Sequence, residues 1–487
     1  MKNIIKTLML GSALILGSCD SLLETEPRQS LTPETAFADV ESFESLLMSI
    51  YSKVRSFDYY GQTMMIAPEI MADNLRLIAN TGRYVGEEVN ADRAHIDIWE
   101  FEDDDDPNEF RGIYAGINEA NILITEIDKV EGDEALRSKL KGEAQFLRAL
   151  FYFDLARVYG YEPGQEVNGF NASVILRTTP TLGFSEADFR ARSTNREIYD
   201  QIESDLNAAI GSLSAQTIGT SAVYRASKGA AETLLARVYL YEGKNAEAAA
   251  MAGQAMATFG LTNTGEGLLE ASEYEAGFST FPNPESVFEI EIRSVDWSSV
   301  DGVNNSMSSL TANVYTGAQF IVTATDELLA SYDDGDVRRD MWAETTRSGA
   351  DGIVYESKKW LGAKGDFLEN LPILRASELY LIRAEARQKT GDAIGALADL
   401  NALRSKRGVE ALSGISGNSL LQAVLNERRI EFALEGHRWF DLKRNGLTIS
   451  KAGSFEPVPY TDYRILAPIP LDEIILNDLL ENNPGYN

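Results

Sequence analysis

The sequence predicts a mainly α-helical fold made of tetratricopeptide-like helix pairs, with an irregular excursion of loops and short strands for ligand binding. Heptapeptides at 155–161 and 235–241 share the order Leu-Ala-Arg-Val-Tyr, and each ends a run with apolar residues at helical spacing. A third run, 374–403, has the same form, with Gly391 in the turn between its helices. Because long insertions separate the pairs, generic antiparallel helices stay open as the alternative.

The first eighteen residues predict an export signal. Lys2 and Lys6 precede an apolar run at 8–16, which is too short to span a bilayer. Leu-Gly-Ser and then Cys19 follow, and this order resembles the lipobox, where a bacterial peptidase cuts before an acylated cysteine. Cys19 is the only cysteine, so we predict that it is lipidated and that 19–31 form a tether. An ordinary cleaved signal with an incidental cysteine is the alternative.

One domain is expected over residues 32–487. Thr32, Pro33 and Glu34 have the order of a helix N-terminus, since they supply a cap, a first-turn proline and an acidic group. Helix pairs are predicted at about 134–160, 195–258 and 374–446. The core face of the opening helix is predicted to carry Val40, Phe43, Leu47, Ile50 and Val54.

The stretch 420–446 predicts a helix that is enclosed by the fold, because apolar residues lie on more than one of its sides. Its many charges should therefore pair internally. Glu435 with Arg438, and Asp441 with Arg444, are one turn apart and can reach each other. Gly436 predicts close packing or a helix end. An acid/base site is the alternative interpretation of these charges.

Two insertions, at about 73–110 and 259–371, lose helical periodicity and predict ligand-binding loops on a helical frame. Residues 288–292 alternate as a strand should. Sugar recognition needs flat aromatic faces beside planar hydrogen-bonding groups. The candidate ligand-binding residues with this chemistry are Asp73, Asn74, Arg76, Tyr84, Trp99, Trp297, Tyr315, Trp342 and Trp360. Packing in the core is the alternative for each of them.

Composition excludes several classes of function. The net charge of −31 argues against nucleic acid as a partner, and more weakly against an acidic polymer. A single cysteine excludes an internal disulfide and any zinc site built from several thiolates. No glycine-rich lysine loop follows a strand, so nothing supports a nucleotide. We therefore expect no metal and no cofactor.

Three motifs are better explained without chemistry. Ser138 with Lys141, then 193–195 and 389–391, have the literal order of a penicillin-binding protein, but the last lies in a helix–helix turn. The acidic runs 103–106 and 333–340 lack calcium-loop spacing, and predict a solvated loop and a turn closed by Arg–Asp pairs. No carboxylate pair is marked out for glycoside hydrolysis.

Several segments together resemble the SusD/RagB family of Bacteroidetes surface lipoproteins, which capture nutrients for an outer-membrane transporter. One carries Arg-x-x-Glu-x-Tyr-Leu and another carries Pro-Ile-Pro followed by Asn-Pro-Gly-Tyr. The matching segments are 37–51, 113–121, 374–386, 426–446 and 468–486. The resemblance covers nearly all of the chain after the predicted signal, and implies a SusD-like α-helical fold.

The resemblance also implies a non-enzymatic protein that is lipid-anchored to the outer membrane through Cys19 and faces the cell exterior. It would bind a nutrient, such as an oligosaccharide or polysaccharide, and deliver it to a SusC-like TonB-dependent transporter. Arg76, Tyr84 and Trp99 lie where starch-binding relatives carry an aromatic arc, although this chain has one tryptophan there. A peptide-capturing member, a tetratricopeptide-type scaffold without a small ligand, and an esterase or glycosidase are the alternatives.

Overall fold

Helices form the frame of the protein. The computed structural model describes residues 39–78, 83–88, 109–183, 185–313, 316–347, 350, 352–451 and 455–486. The predicted signal, Cys19, the tether, the cap at Thr32, the acidic run 103–106, Trp99 and Tyr315 lie outside these residues. No helix in the described part of the chain is both long and apolar enough to cross a lipid bilayer.

The first helices pack around one large core. In chain order they are α1 (Val40–Val54), α2 (Thr63–Met71), α3 (Val85–Glu88), α4 (Glu109–Glu126), α5 (Glu134–Tyr159) and α6 (Asn195–Ser212). The five predicted core residues of α1 are all buried, which confirms its amphipathic spacing. The side chain of Asp133 caps α5, and Thr194 begins α6 in a capping box with Glu197.

The later helices continue this array. They are α7 (Lys228–Tyr241), α8 (Asn245–Thr258), α9 (Tyr274–Gly277), α10 (Ser299–Asn305), α11 (Met307–Thr311), α12 (Asp326–Leu329), α13 (Ala376–Lys389), α14 (Ala393–Lys406), α15 (Gly417–Glu431), α16 (Arg438–Arg444) and α17 (Leu471–Leu476). Neighbours pack in the order α5, α6, α7, α8, α13, α14, α15. Because α8 packs directly on α13, residues 259–375 leave the array and return to it.

Short antiparallel strand pairs organise the insertions. The strands are β1 (Leu75–Leu77), β2 (Ser286–Ile290), β3 (Val322–Ala324), β4 (Trp342–Thr345), β5 (Val354–Ser357) and β6 (Leu371–Arg375). They pair as β1 with β3, β2 with β6 and β4 with β5. The strand predicted at 288–292 is present as β2, but it begins and ends two residues earlier, and all five of its residues are buried instead of alternating.

The predicted helix over 420–446 is interrupted between α15 and α16. Leu434 and Gly436 both have positive φ angles, of 67° and 74°. A Cβ atom on Gly436 would lie 1.8 Å from the backbone oxygen of Met64, so the predicted close packing is confirmed, whereas α15 itself ends at Glu431, five residues earlier. Because the helix ends before either residue, the predicted Glu435–Arg438 pair does not form. The pair inside α16, Asp441 with Arg444, is confirmed at 2.7 Å.

Glu431 stands at the centre of a buried network of charges. Its two carboxylate oxygens accept hydrogen bonds from Arg338, Arg375 and Arg407 at 2.9–3.1 Å. Glu435 accepts from Lys359 and Arg375 instead of Arg438. Asp336 and Arg338 form a 2.7 Å pair that closes the acidic turn at 333–340, as predicted. All of these groups are buried and mutually paired, so the network is structural.

The C-terminal segment completes the end of α5. The Lys443 ammonium donates to the backbone oxygens of Arg157 and Gly160 at 2.7 and 2.6 Å. The backbone N–H of Ala467 donates to Val158 O at 3.1 Å. The Asn483 side chain donates to Tyr159 O at 3.0 Å. Carbonyls that a helix C-terminus leaves unsatisfied therefore find partners from far along the chain.

Candidate functional site

The β1–β3 pair brings the two predicted insertions together. Arg76 of β1 lies opposite Thr323 of β3 in the antiparallel register. The Thr323 hydroxyl donates to Tyr355 O at 2.9 Å and accepts from Tyr355 N at 2.7 Å, which ties β5 to the same place. Arg76 donates to Ile353 O at 3.3 Å. Segments more than two hundred residues apart thus form one surface.

Arg83 joins this surface to the loops beside it. Its Nη1 donates to Asn304 O at 2.5 Å and to Gln319 Oε1 at 3.3 Å. Its Nη2 donates to Gln62 Oε1 at 3.1 Å and to Asn305 Oδ1 at 3.4 Å. A planar guanidinium with five N–H groups is suited to such a junction. Arg83 therefore fixes residues 83–88 against α2 and α10.

Side-chain amides extend the surface beyond Arg83. The Gln319 amide donates to Asn304 Oδ1 at 2.8 Å, and Gln319 N donates to the Ser309 hydroxyl at 3.1 Å. Ser298 caps α10 in a capping box with Asp301, which holds this short helix and its asparagines in place. Amides offer both donors and acceptors, as a sugar hydroxyl requires. We call Gln62, Arg83, Asn304, Asn305 and Gln319 the amide cluster.

Tyr84 contacts the amide cluster, and Trp297 lies just before the cap of α10 in the chain. The Arg83 guanidinium lies 5.7 Å from the centre of the Tyr84 ring. Tyr84 has a φ angle of 58°, which is uncommon for a residue with a side chain and indicates local strain. Trp297 is half-buried and packs against the main core. Both rings keep part of their surface exposed.

Asp296 connects this region with the end of α1. It accepts hydrogen bonds from Arg293 at 2.9 Å and forms an ion pair with Arg55 at 3.1 Å. Burial alone would raise the pKa of Asp296, but the hydrogen bonds from Arg293 and the charge of Arg55 hold it below its usual value. The loop before Trp297 is therefore pinned by a carboxylate that stays ionised at neutral pH.

Arg347 reaches the same surface from the end of β4. Its guanidinium donates to Phe320 O, and lies 5.9 Å from the centre of the Phe320 ring. Burial lowers the pKa of Arg347 from its usual value, although an arginine remains charged at neutral pH. Phe320 is buried and has a φ angle of 41°, so the backbone beside Gln319 is held in an unusual conformation.

The structure gives Asp73 and Asn74 internal partners. Asp73 forms ion pairs with Arg438 at 2.6 Å and with Arg429 at 3.3 Å. Asn74 is buried, donates to Glu69 at 2.6 Å and accepts from Arg429 at 2.8 Å. The expectation that these two polar groups face a ligand therefore needs correction, because they join β1 to α15 and α16.

Trp342 and Trp360 are also turned inward. The Trp342 indole is 6% exposed and donates to the Tyr332 hydroxyl at 3.0 Å. Trp360 is 2% exposed and packs edge-on against Phe278, with ring centres 6.1 Å apart. Neither ring offers a free face in this structure, since each fills the core beneath the strands. Of the predicted residues within the described ranges, Arg76, Tyr84 and Trp297 remain at the surface.

A separate cleft of about 260 Å³ lies where α1 meets β2. Tyr51, Tyr224 and Phe288 form part of its wall. Its arginines are paired with carboxylates, for example Arg225 with Glu143 at 2.5 Å. Among the described residues, no group of three or more histidine, cysteine, aspartate or glutamate side chains is placed to hold a metal ion.

Two family models match the chain. The one described as starch-binding and associating with the outer membrane matches residues 22–240, and the one described as the SusD family matches residues 357–486. SusD-like protein P2 of Formosa agariphila is 24% identical, in an alignment that covers 97% of this chain and 98% of that protein. These matches include both the helical array and the C-terminal segment.

Solved structures share the fold. A SusD superfamily protein of Bacteroides vulgatus is 28% identical, with a TM-score of 0.77 over 93% of this chain and 100% of the other. A laminarin-binding SusD-like protein is 24% identical, with a TM-score of 0.69 over 92% of this chain and 100% of the other. The mainly helical architecture predicted from the sequence is therefore confirmed.

Proposed function

Because this chain belongs to the SusD family, we propose that it is a binding protein, not an enzyme, and that it takes up an oligosaccharide or polysaccharide as a nutrient. We place the ligand on the surface formed by the amide cluster, Arg76, Tyr84 and Trp297. The laminarin-binding relative shares the fold and supports a glycan as the ligand.

One observation carries this proposal. Two insertions that leave the helical array at distant points are joined by the β1–β3 pair and by Arg83, whose contact with Asn304 spans 221 positions. The joined surface combines exposed aromatic surface with planar donors and acceptors, which is the chemistry that a sugar ring and its hydroxyls require. Rigid helices beneath it keep these groups in place.

We extend the proposal to the membrane and to a partner. The protein would be lipidated at Cys19, face the exterior of the outer membrane and deliver its ligand to a SusC-like TonB-dependent transporter. A Cys19→Ser variant should leave the membrane fraction, and its retention there would contradict lipid anchoring through this residue. Co-isolation from the native outer membrane should recover a barrel transporter, and its consistent absence would contradict the partnership.

The proposed class of ligand is tested by screening the protein for binding to polysaccharides and peptides, with affinity electrophoresis and calorimetry as the measurements. Arg83→Ala should lower the affinity for the glycan that binds in the screen by at least about tenfold, since several hydrogen bonds that fix the surface are lost. Arg137→Ala is the control, because this arginine also braces backbone oxygens but lies at the start of α5. Equal binding by the Arg83 variant would place the ligand elsewhere.

The helical array favours a second candidate, a scaffold that binds only proteins. Stacked helix pairs such as α7–α8 and α13–α14 are common in protein-interaction modules. Binding of peptides but not of glycans in the screen would favour a peptide-capturing protein of the same fold. Binding of neither would favour the scaffold.

A further inference from the structure

Among the described residues, three arginines at the proposed ligand surface have no carboxylate partner. Arg76 donates to a backbone oxygen, and Arg347 does the same. Arg83 donates to a backbone oxygen and to side-chain amides. All three reach one segment, 319–323, because Arg83 binds Gln319, Arg347 binds Phe320 O and Arg76 lies opposite Thr323. Three positive charges therefore lie around a single short segment.

Arginines elsewhere in the described chain are commonly matched by acids. Arg407 pairs with Glu285 and Glu431, and Arg444 pairs with Glu385 and Asp441. The arginines of the cleft beside α1 follow the same pattern. Acids are abundant in this chain, with 75 acidic and 44 basic residues, yet three arginines without an ion pair among the described residues meet at this one segment.

The same surface contains a buried donor that lacks an acceptor. Gln62 is 2% exposed, and its Oε1 accepts from Arg83, while its buried Nε2 has no hydrogen-bond partner in the described structure. A buried donor without an acceptor is unfavourable, because its lost hydrogen bond to water is not replaced. Donor groups and positive charge together call for an acceptor that carries negative charge.

We propose that the ligand is an acidic saccharide, and that Arg76, Arg83 and Arg347 bind its carboxylate or sulfate groups. This inference rests on the proposed function and narrows its substrate class. Arginine suits such groups because its planar fork donates two parallel hydrogen bonds to an oxyanion. The net charge of −31 argues weakly against an acidic ligand, but the local arginines outweigh it, because charges beyond about 8 Å are largely screened at physiological ionic strength.

The test compares three probes on the full chain by calorimetry. Oligogalacturonate supplies carboxylates, a carrageenan oligosaccharide supplies sulfates, and a laminarin oligosaccharide is neutral. At least one acidic probe should bind more tightly than the neutral one, and its affinity should fall as NaCl rises from about 0.05 M to about 0.5 M. Which acidic probe binds identifies the oxyanion.

Arg76→Gln and Arg347→Gln should each lower the affinity for the acidic probe by at least about tenfold. The affinity for the neutral probe should change by less than about threefold. Arg76→Lys and Arg347→Lys keep the charge and should retain most of the affinity at low salt, which separates charge from folding. Arg190→Gln, an exposed arginine near the C-terminal segment, is the matched control and should bind as the unaltered protein does.

Either of two results would overturn the inference. Laminarin binding that is equal to or tighter than acidic binding, and unchanged in Arg76→Gln, would leave the proposed glycan function intact and remove the acidic class. Binding of no saccharide probe would remove both, and a peptide ligand from the screen would then take their place.

Discussion

Replacing Glu431 with glutamine should destabilise the protein severely. Glu431 is fully buried, and each of its carboxylate oxygens accepts two hydrogen bonds from arginines. Oε1 faces Arg375 and Arg407, and Oε2 faces Arg338 and Arg407. Whichever way the glutamine amide turns, its NH₂ group must meet two N–H donors. The substitution keeps the shape of the side chain, but removes the negative charge that holds three arginines together.

The magnitude follows from the loss of one partner in a buried ion-pair network. Removing one partner typically costs about 3–5 kcal/mol, because the remaining charges are left uncompensated. Domains are stable by only about 5–15 kcal/mol in total. We therefore expect Glu431→Gln to remove a large share of the free energy of unfolding, and to weaken the contact between α15 and the loop that carries Arg338.

The assay is urea unfolding at neutral pH, followed by circular dichroism. Glu410→Gln is the matched control, because Glu410 is exposed and the substitution should change stability by less than about 0.5 kcal/mol. A Glu431→Gln protein that unfolds within about 1 kcal/mol of the unaltered one would refute the reasoning. It would show that the arginines find other partners, or that water enters the network.

The pH dependence gives an independent check. Burial alone would raise the pKa of Glu431, but Arg407 and Arg375 outweigh it and hold the pKa well below its usual value. The stabilisation by this group is therefore fully present above its unfolded pKa of about 4.5, and is lost as the pH falls further. Glu431→Gln should lose less stability than the unaltered protein over that acidic range.

Two further substitutions test the packing and the titration of buried groups. Gly436→Ala should cost more than about 3 kcal/mol, because a positive φ angle and a Cβ atom 1.8 Å from Met64 O force the backbone to move; a variant with unchanged urea midpoint would contradict this. Burial raises the pKa of Glu369 to about 7, so the folded state keeps a proton that the unfolded state releases, and stability falls as pH rises between about 4.5 and 7. Between about pH 5 and about pH 8, the free energy of unfolding measured with urea should therefore fall by up to about 3 kcal/mol less in Glu369→Gln than in the unaltered protein. An equal fall in both proteins would refute the raised pKa of Glu369.

The sequence predicted those features that depend on neighbours along the chain. The ends of α5 and the core face of α1 agree with their caps and their apolar spacing, because a helix is specified locally. The family resemblance was equally accessible, since its motifs are short and lie in the frame. Gly436 was marked by its rarity inside a charged helix, and its close packing was predicted, but the end of α15 lies five residues earlier, at Glu431.

Features that depend on contacts between distant parts of the chain could not be predicted from the sequence. Glu435 was assigned to Arg438 by helical spacing, but α15 ends at Glu431, before either residue, and Lys359, 76 positions away, binds Glu435 instead. Trp342 and Trp360 belong to an insertion, yet their strands and loops lie over the core and bury them. Arg83 and Gln319 belong to no motif. Their role at the candidate site becomes visible only in the structure, where they are in contact although 236 positions separate them in the sequence.

The closure of α5 by the C-terminal segment has a consequence for the order in which the protein can mature. A helix of 26 residues is made early in synthesis, while partners for its last carbonyls arrive with Lys443, Ala467 and Asn483. Until then those carbonyls depend on water, and contacts of such sequence separation form slowly. Proteolytic loss of only the last few residues would remove Asn483 and leave the backbone oxygen of Tyr159 without this partner, so the C-terminal segment secures the end of a helix made some three hundred residues before it.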